Sequence, residues 1–347
     1  MVLTQSAVSR VERVSDRDLD DRVLRIELLR VLRETVPFED HAWLLTDPVT
    51  TVGSAPLADV RCLPELPRLI GLRYRTTVNR WTTLGTADSL LRATRGQPSE
   101  SLVWRDLLQH HGVGDVATMV FRDGLGLWGW VDLWRSTGAE PFSAAEIEVL
   151  AEVSAPITTA LRRGQARHFA ESAPLAAPDG LAVLMLSEGL DVVGQTPHTG
   201  EYLRLLVPPA AGQSPIPAGA FNVAAQLLAV EAGIDDHPPS SRVHLGGGRW
   251  VTLRADRIGA HRPGAATIAV TIELTSPADR LDVFTRAFGL SRRESELVGL
   301  VVDGHDSADI AARMFLSPHT VQDHLKSVFA KTSTRSRRAL VSLVRGR

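Results

Sequence analysis

Between Ser317 and Lys331 the chain places Gln322, Asp323 and Lys326 within one helical turn, where they share a face. These side chains offer what base edges require. Gln pairs with adenine, Lys donates to guanine, and Asp accepts from the cytosine amino group. Close by stand Lys331, Arg335, Arg337 and Arg338, which can neutralise phosphates and set register without reading sequence. Double-stranded DNA is the expected partner.

A helix must hold these groups, and the local signals supply one. Ser317 is placed to cap, Pro318 takes the first helical position, and Val321, Leu325 and Val328 form an inner face at spacings of four and three. Upstream, Ser291 with Glu294 has capping-box spacing, Leu297, Val298, Leu300 and Val301 give an apolar face, and Gly304 suits a helix stop. Asp306 caps a short second helix carrying Ile310 and Ala311, with Phe315-Leu316 as the turn before Ser317. Ser336 caps a fourth helix, Arg337 to Val344. The expectation is an all-α four-helix unit over 281–347.

Charge agrees with this placement. The 347 residues carry 38 basic and 40 acidic side chains, yet from Leu281 onward there are 11 against 7, leaving 27 against 33 before it. A basic end on an acidic body fits a polyanionic partner at that end.

Residues 290 to 344, "LSRRESELVGLVVDGHDSADIAARMFLSPHTVQDHLKSVFAKTSTRSRRALVSLV", closely resemble the LuxR-type helix-turn-helix, matched at Arg293-Glu294, Gly304, Ile310-Ala311, Ser317, Thr320-Val321, His324 and Lys331. The resemblance implies that Gln322, Asp323 and Lys326 read bases. It implies that Ser317, His319, Thr320, His324 and Lys331 lie along the backbone, with His324 packing or touching phosphate. Two positions depart from the pattern. His319 stands where Lys or Arg is commoner, and Thr332-Ser333 replaces Leu-Gly, which removes an apolar anchor and an easy left-handed stop.

A chain of this length is expected to hold more than one core. Ser172 to Asp179 and Thr275 to Asp279 read as seams. In the first part, Leu19, Val23, Ile26, Leu29 and Val31 mark a helix, Ala42 to Leu45 and Thr50 to Gly53 a strand pair, and Leu63 to Leu72 a further helix. Val116 to Phe121, a turn at Asp123-Gly124, and Leu125 to Trp134 form a hairpin. In its second strand Trp128, Trp130, Asp132 and Trp134 share one face, and Leu127, Gly129, Val131 and Leu133 the other, so both faces should be covered. Ser143 with Glu146 opens a long helix striped by Ile147, Leu150, Ser154, Ile157 and Leu161, running to about Phe169. This order over 15–170 resembles a GAF domain. It implies an α+β sensor with a pocket between sheet and helices, and Trp128, Trp130 and Trp134 are the candidate lining for an unidentified small-molecule ligand. No cysteine stands where a bilin would attach, and no cofactor is expected.

The second part has a strand at Leu181 to Leu186, a turn at Ser187 to Gly189, helices at Thr199 to Leu206 and Ala220 to Gly233, and strands at Arg249 to Ile258 and Ala266 to Glu273. Over 175–275 it resembles a PAS-like α+β module, without a haem or flavin motif.

Other classes have less to stand on. The only cysteine, Cys62, excludes an internal disulfide and a multi-cysteine zinc site, and reads as a buried thiol. His110-His111 reads as a helix end, and no metal is expected. There is no Gly-x-Ser-x-Gly, P-loop or HExxH for a signalling enzyme, and no basic aromatic helix for a sigma-like melting role. Acids at Asp16 to Asp21 precede a helix and do not form a phospho-receiver. No stretch has the length and apolarity of a membrane span, and the N-terminus lacks a signal-peptide core. The expectation is therefore a cytoplasmic transcription regulator, homodimeric on DNA, with RNA polymerase as a further partner.

Overall fold

A computed structural model describes residues 2–171, 178, 180–209, 214–259 and 267–346 of the chain, with side chains from Ser6 onward. These fall into two compact units, one from Met1–Leu161, Ala177–Val243 and Val251–Glu273, the other from Arg162–Ala176, His244–Trp250 and Leu274–Arg347.

In the first unit the chain runs α1 (Val2–Ser15), α2 (Asp21–Thr35), β1 (Asp40–Thr46), β2 (Gly53–Asp59), α3 (Leu66–Arg75), β3 (Ala87–Ser89), α4 (Leu90–Ala93), α5 (Leu102–Asp106), β4 (Val113–Asp123) and β5 (Gly126–Ser136). The long α6 (Ala144–Ala170) follows. The five strands make an antiparallel sheet in the order β2-β1-β5-β4-β3. Asp123 closes the β4–β5 turn by accepting from the backbone N–H of Leu125 and Gly126 and from the Trp128 indole. Helix α6 starts at the expected box, with Ser143 N–H to Glu146 at 2.8 Å and Glu146 N–H to the Ser143 hydroxyl at 3.3 Å. All five residues of its stripe are buried. A Cβ at Gly129 would meet the Leu44 carbonyl oxygen at 2.7 Å, so a bare backbone is required between the neighbouring strand and Leu161.

The remainder of this unit adds β6 (Ala182–Leu186), β7 (Val192–Gln195), α7 (Thr199–Leu206), α8 (Ala218–Glu231), β8 (Ser240–Gly246), β9 (Arg249–Ile258) and β10 (Thr267–Leu274). This second sheet has the order β7-β6-β10-β9-β8, which repeats the first sheet's order of its own strands, second-first-fifth-fourth-third. Helix α8, rich in alanine, packs on α3 and on β2, so the two sheets share one body. Two buried ion pairs join them. Arg242 grips Asp47 at 2.6 and 2.7 Å, and Arg80 meets Asp235 at 2.6 Å. Asp47 is held below the usual carboxylate range: burial alone would raise it, and the Arg242 hydrogen bonds and charge outweigh burial.

The second unit contains the end of α6, the β8–β9 turn, and α9 (Pro277–Ala287), α10 (Arg292–Val302), α11 (Ser307–Met314), α12 (Pro318–Thr332) and α13 (Arg337–Arg345). Its base is aromatic. Phe169 stacks on Trp250 at 4.9 Å and meets Phe284 edge-on at 5.3 Å, with Arg280 over the Phe169 ring at 4.7 Å. Arg280 also donates to the carbonyls of Val344 and Gly248, and its burial lowers its pKa to about 10.

Several expectations need correction. On α2 the inward apolar residues are Leu24, Leu28, Leu29, Val31 and Leu32, so Leu29 and Val31 of the expected stripe face inward, while Val23 and Ile26 are each 46% exposed. Leu24, Leu28 and Leu32 recur at i, i+4 and i+8, a straighter stripe, and between them Arg25 reaches the carbonyls of Trp43 and Ala55. The second strand of the first pair is Gly53–Asp59, because 47–52 form a turn whose N–H groups at Val49 and Thr50 are taken by Asp47. The seam expected at Thr275 to Asp279 lies beside the change of unit at Glu273/Leu274, and the chain there turns helical at once: Ser276 caps α9, its hydroxyl accepting from Asp279 N–H at 3.1 Å, with Pro277 at the first helical position. The helical unit thus gains a helix ahead of the four expected. Helix α1 and strands β3, β7 and β8 also lay outside the expectations. The Ser172 to Asp179 seam falls largely outside the described residues.

Candidate functional site

The α10–α13 segment is built from caps. Ser291 and Glu294 make a full capping box, Asp306 accepts from the N–H groups of Ala308 and Asp309, and Ser317 accepts from Thr320 N–H. Glu294 is a structural node as well as a cap. Its carboxylate, with 6% of the side chain exposed, receives Lys331 Nζ at 2.6 Å and the Ser327 hydroxyl at 2.6 Å from α12. Burial alone would raise its pKa, and these partners together with Ser291 bring it to about 2. One carboxylate therefore ties the start of α10 to the far half of α12.

On α12, Val321, Leu325 and Val328 are buried, and Gln322, Asp323 and Lys326 are exposed on the opposite side. Asp323 sits between His319 Nδ1 at 3.0 Å and Lys326 Nζ at 3.2 Å, and its pKa is lowered mainly by the Lys326 hydrogen bond. Gln322 donates to the Ser307 hydroxyl at 3.2 Å. The three expected reading residues thus share one surface, with Lys326 75% exposed. Before this helix Phe315 takes a left-handed conformation (φ 55°) and is 93% exposed.

The expected backbone contacts separate into two groups. Arg335 and Arg338 are exposed and, among the described residues, have no ion-pair partner. His319 is exposed, His324 and Thr320 are half-buried, and the Ser317 hydroxyl caps α12. Lys331 and Arg337 each have partners inside the domain. Lys331 is held by Glu294 and the Gly289 carbonyl, and Arg337 donates to the His305 carbonyl at 3.2 Å and the Ser307 hydroxyl at 2.7 Å. Each of them satisfies a carbonyl near a helix end. The Thr332-Ser333 departure is absorbed locally. Ser333 adopts φ 53° itself, and the buried Thr332 hydroxyl donates back to the Val328 carbonyl at 2.8 Å.

A second candidate site lies inside the first unit. A cavity of about 240 Å³ is bounded by the first sheet, α3 and the start of α8. Trp130, Asp132 and Trp134 line it, as the alternation along β5 predicts; Trp128 is not among its lining residues, and its indole is bound to Asp123. Arg73 and Asp132 form a buried pair at 2.9 and 3.2 Å, with the Thr118 hydroxyl on Asp132 at 2.6 Å. Asn222 of α8 also lines the cavity, and sequence reasoning missed it. An amide in the apolar run "AGAFNVAAQLL", which also carries Gln226, was the available signal.

Two groups among the described residues could offer metal ligands, His168 with Glu171 and His244, and Asp235 with Asp236 and His237. Asp235 is already committed to Arg80 and His237, and its pKa falls accordingly: burial opposes this, and the His237 and Arg80 hydrogen bonds prevail. His111 is paired with Glu65 at 2.8 Å. Cys62 is buried, and burial pushes its thiol up to about 11. No helix among the described residues is long and apolar enough to cross a membrane.

Residues 289–344 match the model of the family described as bacterial regulatory proteins, luxR family. Over 52 residues, 15% of the chain, it is 48% identical to a putative HTH-type transcriptional regulator of Mycobacterium bovis, and equally to two from Mycobacterium tuberculosis strains. The matched stretch spans only 6% of the length of those relatives. Among solved structures, the Vibrio cholerae VqmA dimer without target DNA aligns over 48% of this chain and 81% of its own at 17% identity. Its TM-score is 0.19, too low to carry a comparison between the two chains.

Proposed function

We propose, from the premise that residues 289–344 form a LuxR-type helix-turn-helix domain, that the chain is a sequence-specific DNA-binding transcriptional regulator. The observation that carries this is the division of α12, whose inner face is Val321, Leu325 and Val328 and whose outer face presents Gln322, Asp323 and Lys326. Arg335, Arg338 and His319, with the N–H groups at the start of α12, are the proposed phosphate contacts, and His324 a packing or phosphate-touching one. The chain acts as a homodimer, so that two copies of α12 meet successive major-groove faces roughly 34 to 36 Å apart. RNA polymerase is the proposed downstream partner, and the cytoplasm the site of action.

The remaining residues are proposed as the sensor, a GAF-like module over 15–170 and a PAS-like module over 175–275. The shared second-first-fifth-fourth-third strand order and the cavity between sheet and helices support that reading. The helical output domain is proposed to begin near Pro277. No catalytic step is part of the proposal.

The test is selection of bound sequences from random duplexes by the purified full chain, followed by titration of the selected site. A two-fold symmetric site bound about 10³-fold or more above random DNA is expected. Equal affinity for selected and random duplexes would refute sequence-specific binding, and a monomer on the selected site would refute the dimer.

A further inference from the structure

The cavity of the first unit carries information about what would fill it. Its walls are overwhelmingly apolar, with Leu44, Leu66, Ile70, Val103 and the two indoles of β5 among them. Its charged residues, Arg73 and Asp132, neutralise each other through two hydrogen bonds. Arg73 further donates to the Asn79 carbonyl at 3.0 Å, and its guanidinium lies over the Trp130 ring at 5.0 Å. No uncompensated charge is left to receive an ion, and burying an unpaired ion is costly. An uncharged occupant fits.

The polar groups left over are specific in kind. Asn222 is 1% exposed, and neither its amide nitrogen nor its amide oxygen has a hydrogen-bond partner. The indole nitrogens of Trp130 and Trp134 are also buried and unpartnered. Buried polar groups are normally satisfied, and a carboxamide surrounded by carbon is unfavourable unless something pairs with it. Asn222 offers one donor and one acceptor side by side, which is matched by a group presenting one acceptor and one donor side by side. That is the edge of a primary amide or a lactam. The two indoles add donors, so a further acceptor oxygen is accommodated.

We propose that this cavity binds a neutral, flat, largely apolar molecule of on the order of ten non-hydrogen atoms that carries a lactam- or carboxamide-type edge paired with Asn222. Asn222 comes from the second sheet's module and the indoles from the first, so the occupant bridges both. The proposal rests on the sensor reading only for what occupancy does to DNA binding.

The experiment uses the full chain and three probes of similar size, titrated by calorimetry: quinolin-2-one, which has the lactam edge; naphthalene, which lacks it; and 1-naphthoate, which is charged. Quinolin-2-one is expected to bind with a Kd on the order of 100 µM, and naphthalene about tenfold more weakly. The naphthoate is expected not to bind. Asn222→Leu should abolish the difference between quinolin-2-one and naphthalene. Absence of quinolin-2-one binding at 1 mM, equal binding of naphthalene, or tighter binding of the naphthoate overturns the proposal. The three-probe comparison on the unaltered chain stands even if the variant does not fold. Operator affinity is then measured with and without quinolin-2-one: binding without any change in that affinity would refute the sensor reading and leave the ligand class standing.

Discussion

Replacing Glu294 by Gln tests whether the α10–α12 junction depends on a charge. Glutamine keeps the length of the side chain and can still accept the Ser291 N–H in a capping box, so the cap survives. What is lost is the partner of Lys331 at 2.6 Å. The carboxyl falls from 4.5 to about 2 in the folded domain, and each tenfold change in proton affinity is about 1.36 kcal/mol, which sets a ceiling of about 3.4 kcal/mol; glutamine keeps the capping hydrogen bonds that supply part of the shift, so the loss is roughly 2 to 3 kcal/mol. The sign follows from the direction of the shift. A carboxylate with a lowered folded pKa stabilises fully above its unfolded value, and that contribution drains away as pH falls from about 4.5 towards 2. Hydrogen exchange of α10 and α12 amides, corrected for intrinsic rates, reads the effect locally. At pH 7 the variant should exchange roughly 30- to 150-fold faster than the parent, and at pH 3 more than half of that gap in free energy should have closed. An acceleration below about threefold at pH 7, or a gap unchanged at pH 3, would show that the pair is a surface contact of little consequence.

The division of basic residues makes the next set of expectations. Lys326→Ala should cost about 1 to 3 kcal/mol on the selected site and little on random duplex, measured by fluorescence anisotropy. Arg338→Ala should weaken both and reduce the slope of log K against log salt by about 0.9. Lys331→Met should leave that slope unchanged while accelerating exchange in α12, and a reduced slope would return Lys331 to the phosphate contacts. In the first unit, Asp47→Asn or Arg242→Met alone should destabilise by about 3 to 5 kcal/mol in urea unfolding, whereas Asp47→Leu with Arg242→Met should recover most of the loss. If the double variant is no better than the singles, the cost lies in packing and not in a stranded charge.

Helix starts and long-strand faces were legible in the sequence because their causes are local. Ser291, Asp306, Ser317, Ser336 and Ser143 each cap the helix that their spacing announces, and the Trp130 and Trp134 side chains share a cavity because a strand alternates. What was hidden depends on distant partners. Which stripe of α2 turns inward is decided by where Arg25 finds carbonyls, thirty residues away in the case of Ala55. Strand β8 was obscured because Arg242, a charged residue within it, is buried against a carboxylate almost two hundred positions earlier in the chain, Asp47. The partners that Lys331 and Arg337 take inside the domain, Glu294 and Ser307, approach them only when the helices pack. Helix α9 was within reach, since Ser276-Pro277 with Asp279 is a helix-start pattern, but proline and serine beside alanine also read as a linker.

The buried pairs Asp47–Arg242 and Arg80–Asp235 explain why the cavity could not be read from either module by itself. Buried ion pairs add little net stability relative to apolar packing, since desolvation consumes most of their attraction. They are unforgiving about position, because a charge displaced from its partner is left stranded in carbon. Both pairs connect one module of the first unit to the other, so together they oppose sliding of α8 along α3. That register puts Val207, Ile216, Ala218 and Asn222 onto a space whose other walls are β1, β5 and α3. Without it the first sheet would present an open apolar groove, and the Asn222 amide would turn to water. The ion pairs thus fix a geometry in which the unpartnered Asn222 amide is held in the wall of a largely apolar cavity, the arrangement on which the proposed occupant depends.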